Sequence, residues 1–151
     1  MLNALKAFVP AVLVTFGLAS IFSTQGNLAR VQAMGLDVDL GTRVTTSLQD
    51  IAGMASSYLL LIAVAFVVAL PVAGWLARRL PGQRVLLFVL AGFVAIAGLH
   101  QALQSALGIH VIPVTRSLGG LLGQCLAGAV GAYLYVRLAR AKPVTTGVRR
   151  G

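Results

Sequence analysis

The sequence predicts an all-α integral membrane protein: a four-transmembrane-helix bundle made of two tandem, parallel-repeat helical hairpins. Three observations carry that prediction. Of 151 residues, 58% are apolar and only 10% are charged, against roughly 25% charged in a soluble domain. Four apolar stretches approach the length of about 20 residues that a helix needs to cross a bilayer. The basic residues gather on one side of those stretches, as expected where positive charge sets orientation. The same figures exclude a disordered chain, and a single cysteine excludes a disulfide scaffold.

The first stretch, 7–22, is short for a span and needs its flanks. Lys6, the apolar centre and the small residues Gly17 and Ala19 also give it the outline of a secretory signal. The second, 51–76, is long enough to require tilt or projection at its outer end. Pro71 removes one backbone hydrogen bond in it and predicts a kink. The third runs 85–103 and the fourth 117–138. Between the first two, segment 24–49 has helical apolar spacing at Leu28, Val31 and Met34. It is too long for a bare turn, so short helices lying on the bundle or extending the spans are expected, with Asp37 or Asp39 as a cap.

Charge places the ends. Lys6, Arg78, Arg79, Arg84, Arg137, Arg140, Lys142, Arg149 and Arg150 fall on one side, which the positive-inside rule makes cytoplasmic. On the other side Arg30, Arg43 and Arg116 balance Asp37, Asp39 and Asp50. The net charge of +9 therefore belongs to the inner face, and both termini are predicted cytoplasmic in a bacterial inner membrane. These basic residues flank spans, and no aromatics are interleaved for base stacking. They read as topology determinants with an attraction for anionic membrane lipids, and no nucleic-acid partner is expected.

The chain repeats itself. Ala33-Met34-Gly35-Leu36-Asp37-Val38 matches Ala106-Leu107-Gly108-Ile109-His110-Val111, and Thr42-Arg43 matches Thr115-Arg116, at an offset of 73. Gln49-Asp50-Ile51-Ala52-Gly53 matches Gln124-Cys125-Leu126-Ala127-Gly128, and Tyr58-Leu59 matches Tyr133-Leu134, at an offset of 75. A two-residue insertion in the second copy explains the slip. The expected organisation is one hairpin over 1–76, a second over 77–138 and a basic tail over 139–151. Two spans per copy imply parallel repeats about an axis along the membrane normal. The first span then corresponds to the third, which argues against a cleaved signal.

Lipid is as apolar as leucine, so helices must associate through close packing and polar contacts. Gly119, Gly123, Ala127 and Gly131 recur every four residues and form one small face on the fourth span. Ala52 with Ser56, then Ala65, Ala69, Ala73 and Ala77 offer a second, and Ala91 with Ala95 a third. Cys125 reads as packing, and Trp75, Tyr133 and Tyr135 as an interfacial belt.

The inventory for chemistry is thin. No span interior holds a carboxylate, which coupled transport usually needs. One cysteine and two histidines ten residues apart suit neither zinc nor a bis-histidine haem. Phosphate-loop, zinc-protease and nucleophile-elbow motifs are missing. No enzyme activity, cofactor or metal is expected. One polar constellation falls at the outer boundary: Arg43, Asp50, His100, Gln101, Arg116 and Gln124, with Gln49 and Gln104 near the same level. Asp50 is expected to pair with an arginine. The group reads either as a cap that pins helix ends or as a pocket for a lipid headgroup or quinone. The leading function is binding, as a subunit or accessory factor of a membrane complex or as a homo-oligomer. The alternative is a small transporter or channel, for which Thr15, Ser56, Ser57 and Gln124 supply few polar groups.

Overall fold

Four helices account for almost all of the described residues: α1 (Leu2–Ala33), α2 (Leu40–Arg79), α3 (Arg84–Leu107) and α4 (Leu118–Arg140). The structure is a computed structural model that describes residues 2–35, 37, 39–80, 82–107, 115 and 117–140, with no strand among them. Each helix contains a segment long and apolar enough to cross a membrane: Ala4–Ala33, Ser57–Arg79, Arg84–Ala106 and Leu118–Ala139. All four apolar stretches read from the sequence lie within these helices, apart from the residue just ahead of α4. By length and composition the chain is a helical multi-pass membrane protein.

The helices form a ring in chain order. α1 packs on α2 and α4, and α3 packs on α2 and α4. Links are short where the backbone can turn sharply. Gly35, with φ +84°, follows the end of α1, and Gly82, with φ +95°, lies between α2 and α3. Both sit in the left-handed region that glycine enters without steric cost. Asp39 starts α2 by accepting the Thr42 backbone N–H at 3.0 Å. α2 continues through Pro71, and α1 through Pro10.

The core is Phe16, Tyr58, Ile62, Phe66, Phe88, Ile96 and Val136, closed by small residues. Two crossings are glycine-mediated. Gly92 of α3 faces Gly128 of α4, and a Cβ on either would overlap the other's carbonyl oxygen. A Cβ on Gly131 would fall on the Thr15 hydroxyl and within 2.7 Å of the Ala11 carbonyl of α1. Apolar residues on the outside, such as Leu13, Leu60, Val68, Leu90 and Leu126, are exposed on the surface that lipid would cover.

The small face expected on α4 is therefore used in part. Ala127 is buried, Gly131 makes the closest contact with α1, and Gly123 lies against the Phe22 ring at 3.5 Å. Gly119 meets nothing within 4 Å and lies beside an open cleft instead. The Gly92–Gly128 crossing was not singled out in the sequence, where Ala91 and Ala95 were taken as the small residues of α3. Residues 75 positions earlier are Gly17 and Gly53, yet a Cβ at either would meet nothing. The helices of the two halves also differ in length, with α1 at 32 and α2 at 40 residues against 24 and 23 for α3 and α4.

Candidate functional site

The unequal helix lengths create the main surface feature. Tyr58, His100, Gln124 and Ala19 mark one level in the bundle, because they touch one another. Beyond that level α3 and α4 continue for about 10 Å, whereas α1 runs about 21 Å and α2 about 27 Å. α1 and α2 thus project as an antiparallel hairpin past the ends of the other two. The predicted short helices of segment 24–49 are extensions of the spans.

Polar groups stitch the hairpin together. Arg43 donates from Nη1 to Gln25 Oε1 and from Nη2 to Gln32 Oε1, each at 2.6 Å. Ser47 donates to the Arg43 carbonyl at 2.8 Å, with Gln25 Nε2 3.5 Å from its hydroxyl. One step nearer the bundle, the Thr24 hydroxyl donates to Asp50 Oδ2 at 2.7 Å, with the Ser20 carbonyl 3.0 Å away as competing acceptor. The expected pairing of Asp50 with an arginine is thus corrected on one side. Arg43 turns to two glutamine carbonyls, and Asp50 to a threonine one helix away. Arg116 lies outside the described residues, as do His110, Lys142, Arg149 and Arg150.

Beside this seam, and sharing its cleft with Gln25, Arg43 and Ser47, runs an apolar stripe. Leu40, Val44 and Leu48 recur every four residues, so they form one stripe on α2. They are 80%, 60% and 63% exposed. Val44, Leu48 and Ile51 border a cleft of about 400 Å³ against Ile21 of α1. This part of α2 precedes Ile51, where the uninterrupted apolar run of the helix begins.

Beneath the hairpin lies a buried polar relay. Tyr58 Oη donates to Gln124 Oε1 at 2.9 Å, and Gln124 Nε2 donates to the Ala19 carbonyl at 2.9 Å. Tyr58 and Gln124 sit on diagonal helices, so this chain crosses the ring that α1–α4 otherwise close side by side. His100 meets the Tyr58 ring edge-on with centroids 6.0 Å apart, and its Nδ1 lies 2.9 Å from the Ile96 carbonyl. That acceptor requires the proton on Nδ1. All four helices are therefore joined at one level.

Of the residues read as an outer ligand site, Gln124 and His100 converge on Tyr58. Asp50 and Arg43 belong to the hairpin seam, and Gln101 is exposed on α3. None of the four principal clefts is lined by Asp50, His100, Gln101 or Gln124. Tyr58 was missed as a core polar residue. Tyr133, matched to it in the expected repeat, is instead 41% exposed and carries Arg137 over its ring at 5.0 Å.

Outside the spans, Asp39 is held below the ordinary carboxylate value, first by the Thr42 hydroxyl and then by the Thr42 backbone N–H. Among the described residues no cluster of three metal-ligating side chains occurs. No protein-family model, curated protein or solved structure matches the chain.

Proposed function

We propose that this is a non-enzymatic, multi-pass protein of the bacterial inner membrane that acts by binding another polypeptide through the α1–α2 hairpin. In this reading it is a subunit or accessory factor of a membrane complex, with both termini cytoplasmic and the hairpin on the outer side. The observation that carries it is the exposed Leu40–Val44–Leu48 stripe, which lies ahead of the apolar run of α2 that begins at Ile51 and beyond the helical ends of α3 and α4. Exposed apolar stripes rimmed by polar groups mark contact surfaces. The side of the hairpin facing α1 is hydrogen-bonded internally, which leaves the stripe as the face available for contact.

The filled interior favours binding over transport. Ile62, Phe66, Ile96 and Val136 are fully buried across the middle of the bundle. The glycine crossings bring backbones into contact there. Three of the four clefts lie near the two ends, and the fourth runs along the outside of α1 and α2 as far as Phe66. The two halves are read as diverged copies of one hairpin. The first copy lengthened into the projecting arm, and the second tightened at Gly92 and Gly128.

A photo-crosslinking residue placed singly at Val44 or Leu48, in cells, tests the reading. The expected result is one discrete protein adduct from both positions and none from Gln49 on the far side of the helix. An adduct the size of a second copy of the chain makes the partner itself. Adducts only to lipid, or equal labelling at Gln49, contradict a protein-binding stripe.

A further inference from the structure

The basic end of the bundle carries a second feature, independent of the hairpin. A cavity of about 550 Å³ opens there, with Arg78 of α2 and Arg84 of α3 in its wall beside Gly74, Phe88 and Tyr135. A second cleft of about 530 Å³ runs between α1 and α2 along Leu5, Phe8, Phe66 and Val67. The two share Ala4, Leu70, Pro71 and Tyr135, so they join into one amphipathic space. Each is within the usual size of a small-molecule site.

Among the described residues no carboxylate lies near the charge at its mouth. The chain has no Glu, and its three aspartates all lie in or next to the hairpin at the other end. Arg84 lies over the Phe88 ring at 5.7 Å, which holds its guanidinium at the rim of the cavity. Two neighbouring arginines of the same end sit on other rings: Arg79 on Trp75 at 5.4 Å, and Arg137 on Tyr133 at 5.0 Å. Neither lines the cavity. Two cations at one end of a space whose other end is apolar match a ligand with an anionic head and a hydrocarbon chain. Basic pockets between spanning helices bind anionic headgroups on these terms.

We propose that this cleft holds one anionic phospholipid, with its phosphate at Arg78 and Arg84 and an acyl chain along the groove between α1 and α2. The arginines hold the phosphate, and their repulsion of a cationic headgroup supplies the selectivity for a lipid of net negative charge. The chain supplies occupancy by filling the space against Phe8, Phe66 and Leu70.

Native mass spectrometry of the full chain tests this, using mixed micelles of equimolar phosphatidylglycerol and phosphatidylcholine. One phosphatidylglycerol per chain is expected to be retained, with a preference of about tenfold. R78Q/R84Q should reduce that preference to near parity, while R79Q/R137Q leaves it in place. G74L, which puts bulk where a Cβ already lies 3.8 Å from Phe88, should lower retention of both lipids. Equal helicity by circular dichroism confirms that each variant is folded. Equal retention of the two lipids by the unaltered chain overturns the proposal. So does a preference that survives R78Q/R84Q, or one lost equally in R79Q/R137Q, which means diffuse attraction. Inorganic phosphate, compared with chloride at the same ionic strength, is expected not to displace the lipid. Displacement by phosphate makes this a bare anion site and overturns the lipid assignment.

Discussion

At the scale of single residues, the contacts that decide this bundle are polar bonds and glycine approaches. Removing the Tyr58 hydroxyl leaves Gln124 Oε1 buried without its donor, since Gln124 is fully buried. Tyr58→Phe is expected to destabilise the bundle by about 1 kcal/mol. A double-mutant cycle with Gln124→Leu should show that the two losses are not additive, and thermal melting in micelles measures it. Ser20 gives the opposite expectation, because its buried hydroxyl makes no hydrogen bond. Ser20→Ala should therefore melt at or above the unaltered chain. Glycines divide the same way. Gly128→Ala and Gly131→Ala force a Cβ into a neighbouring helix and should cost about 1–3 kcal/mol. Gly53→Ala meets open space and should gain roughly 0.5–1 kcal/mol from helix propensity. The sequence offered Gly123, Ala127 and Gly131 by their spacing. It could not offer Tyr58, because a tyrosine near a span end reads equally as an interfacial anchor. Only the diagonal approach of α2 to α4 shows that its hydroxyl points inward.

At the scale of elements, the four spans were legible because uninterrupted apolar runs require little context. Their ends were not. The first apolar run ends near residue 22, and the segment after it leaves open whether separate short helices follow or the span extends; α1 extends to Ala33. Ser23, Thr24 and Gln25 look like a break in hydropathy, but all three are buried or half-buried, and Thr24 and Gln25 find partners on α2. Hydropathy registers polarity and cannot register that the polarity is satisfied. The seam predicts its own behaviour. Arg43→Ala removes the bonds to Gln25 and Gln32. Amide exchange should then rise over 40–50 and in the last turns of α1, while α3 and α4 stay protected. The start of α2 carries a pH dependence of defined sign. Asp39 has a lowered carboxyl value in the folded chain. Its support for the helix is thus complete above the ordinary value near 3.8 and is lost as pH falls through the lowered one. Exchange at Thr42 and Arg43 should be flat from neutral pH down to that range after correction for intrinsic rates.

At the scale of the whole molecule, the asymmetry between the halves carries the functional reading. Beyond the level of Tyr58 and Gln124, helices α1 and α2 run about 10 Å or more farther than helices α3 and α4. The sequence foretold a polar group at that end through Arg43, Asp50 and Gln124. It grouped them at one level, as a cap on the helix ends or as a pocket, because linear depth was the only coordinate available. In the fold they separate into a seam, which stiffens the arm, and a relay, which ties the arm to the other helices. The stripe of Leu40, Val44 and Leu48 was masked in the sequence by the apolar character of everything around it. It acquires meaning only because α2 carries it beyond the ends of α3 and α4. Native mass spectrometry of the protein released gently from its own membrane tests this account most directly. A stoichiometric partner polypeptide, lost on Val44→Asp with Leu48→Asp while the helical signal stays intact, is the predicted result. A lone chain, or a complex that survives both substitutions, would contradict it.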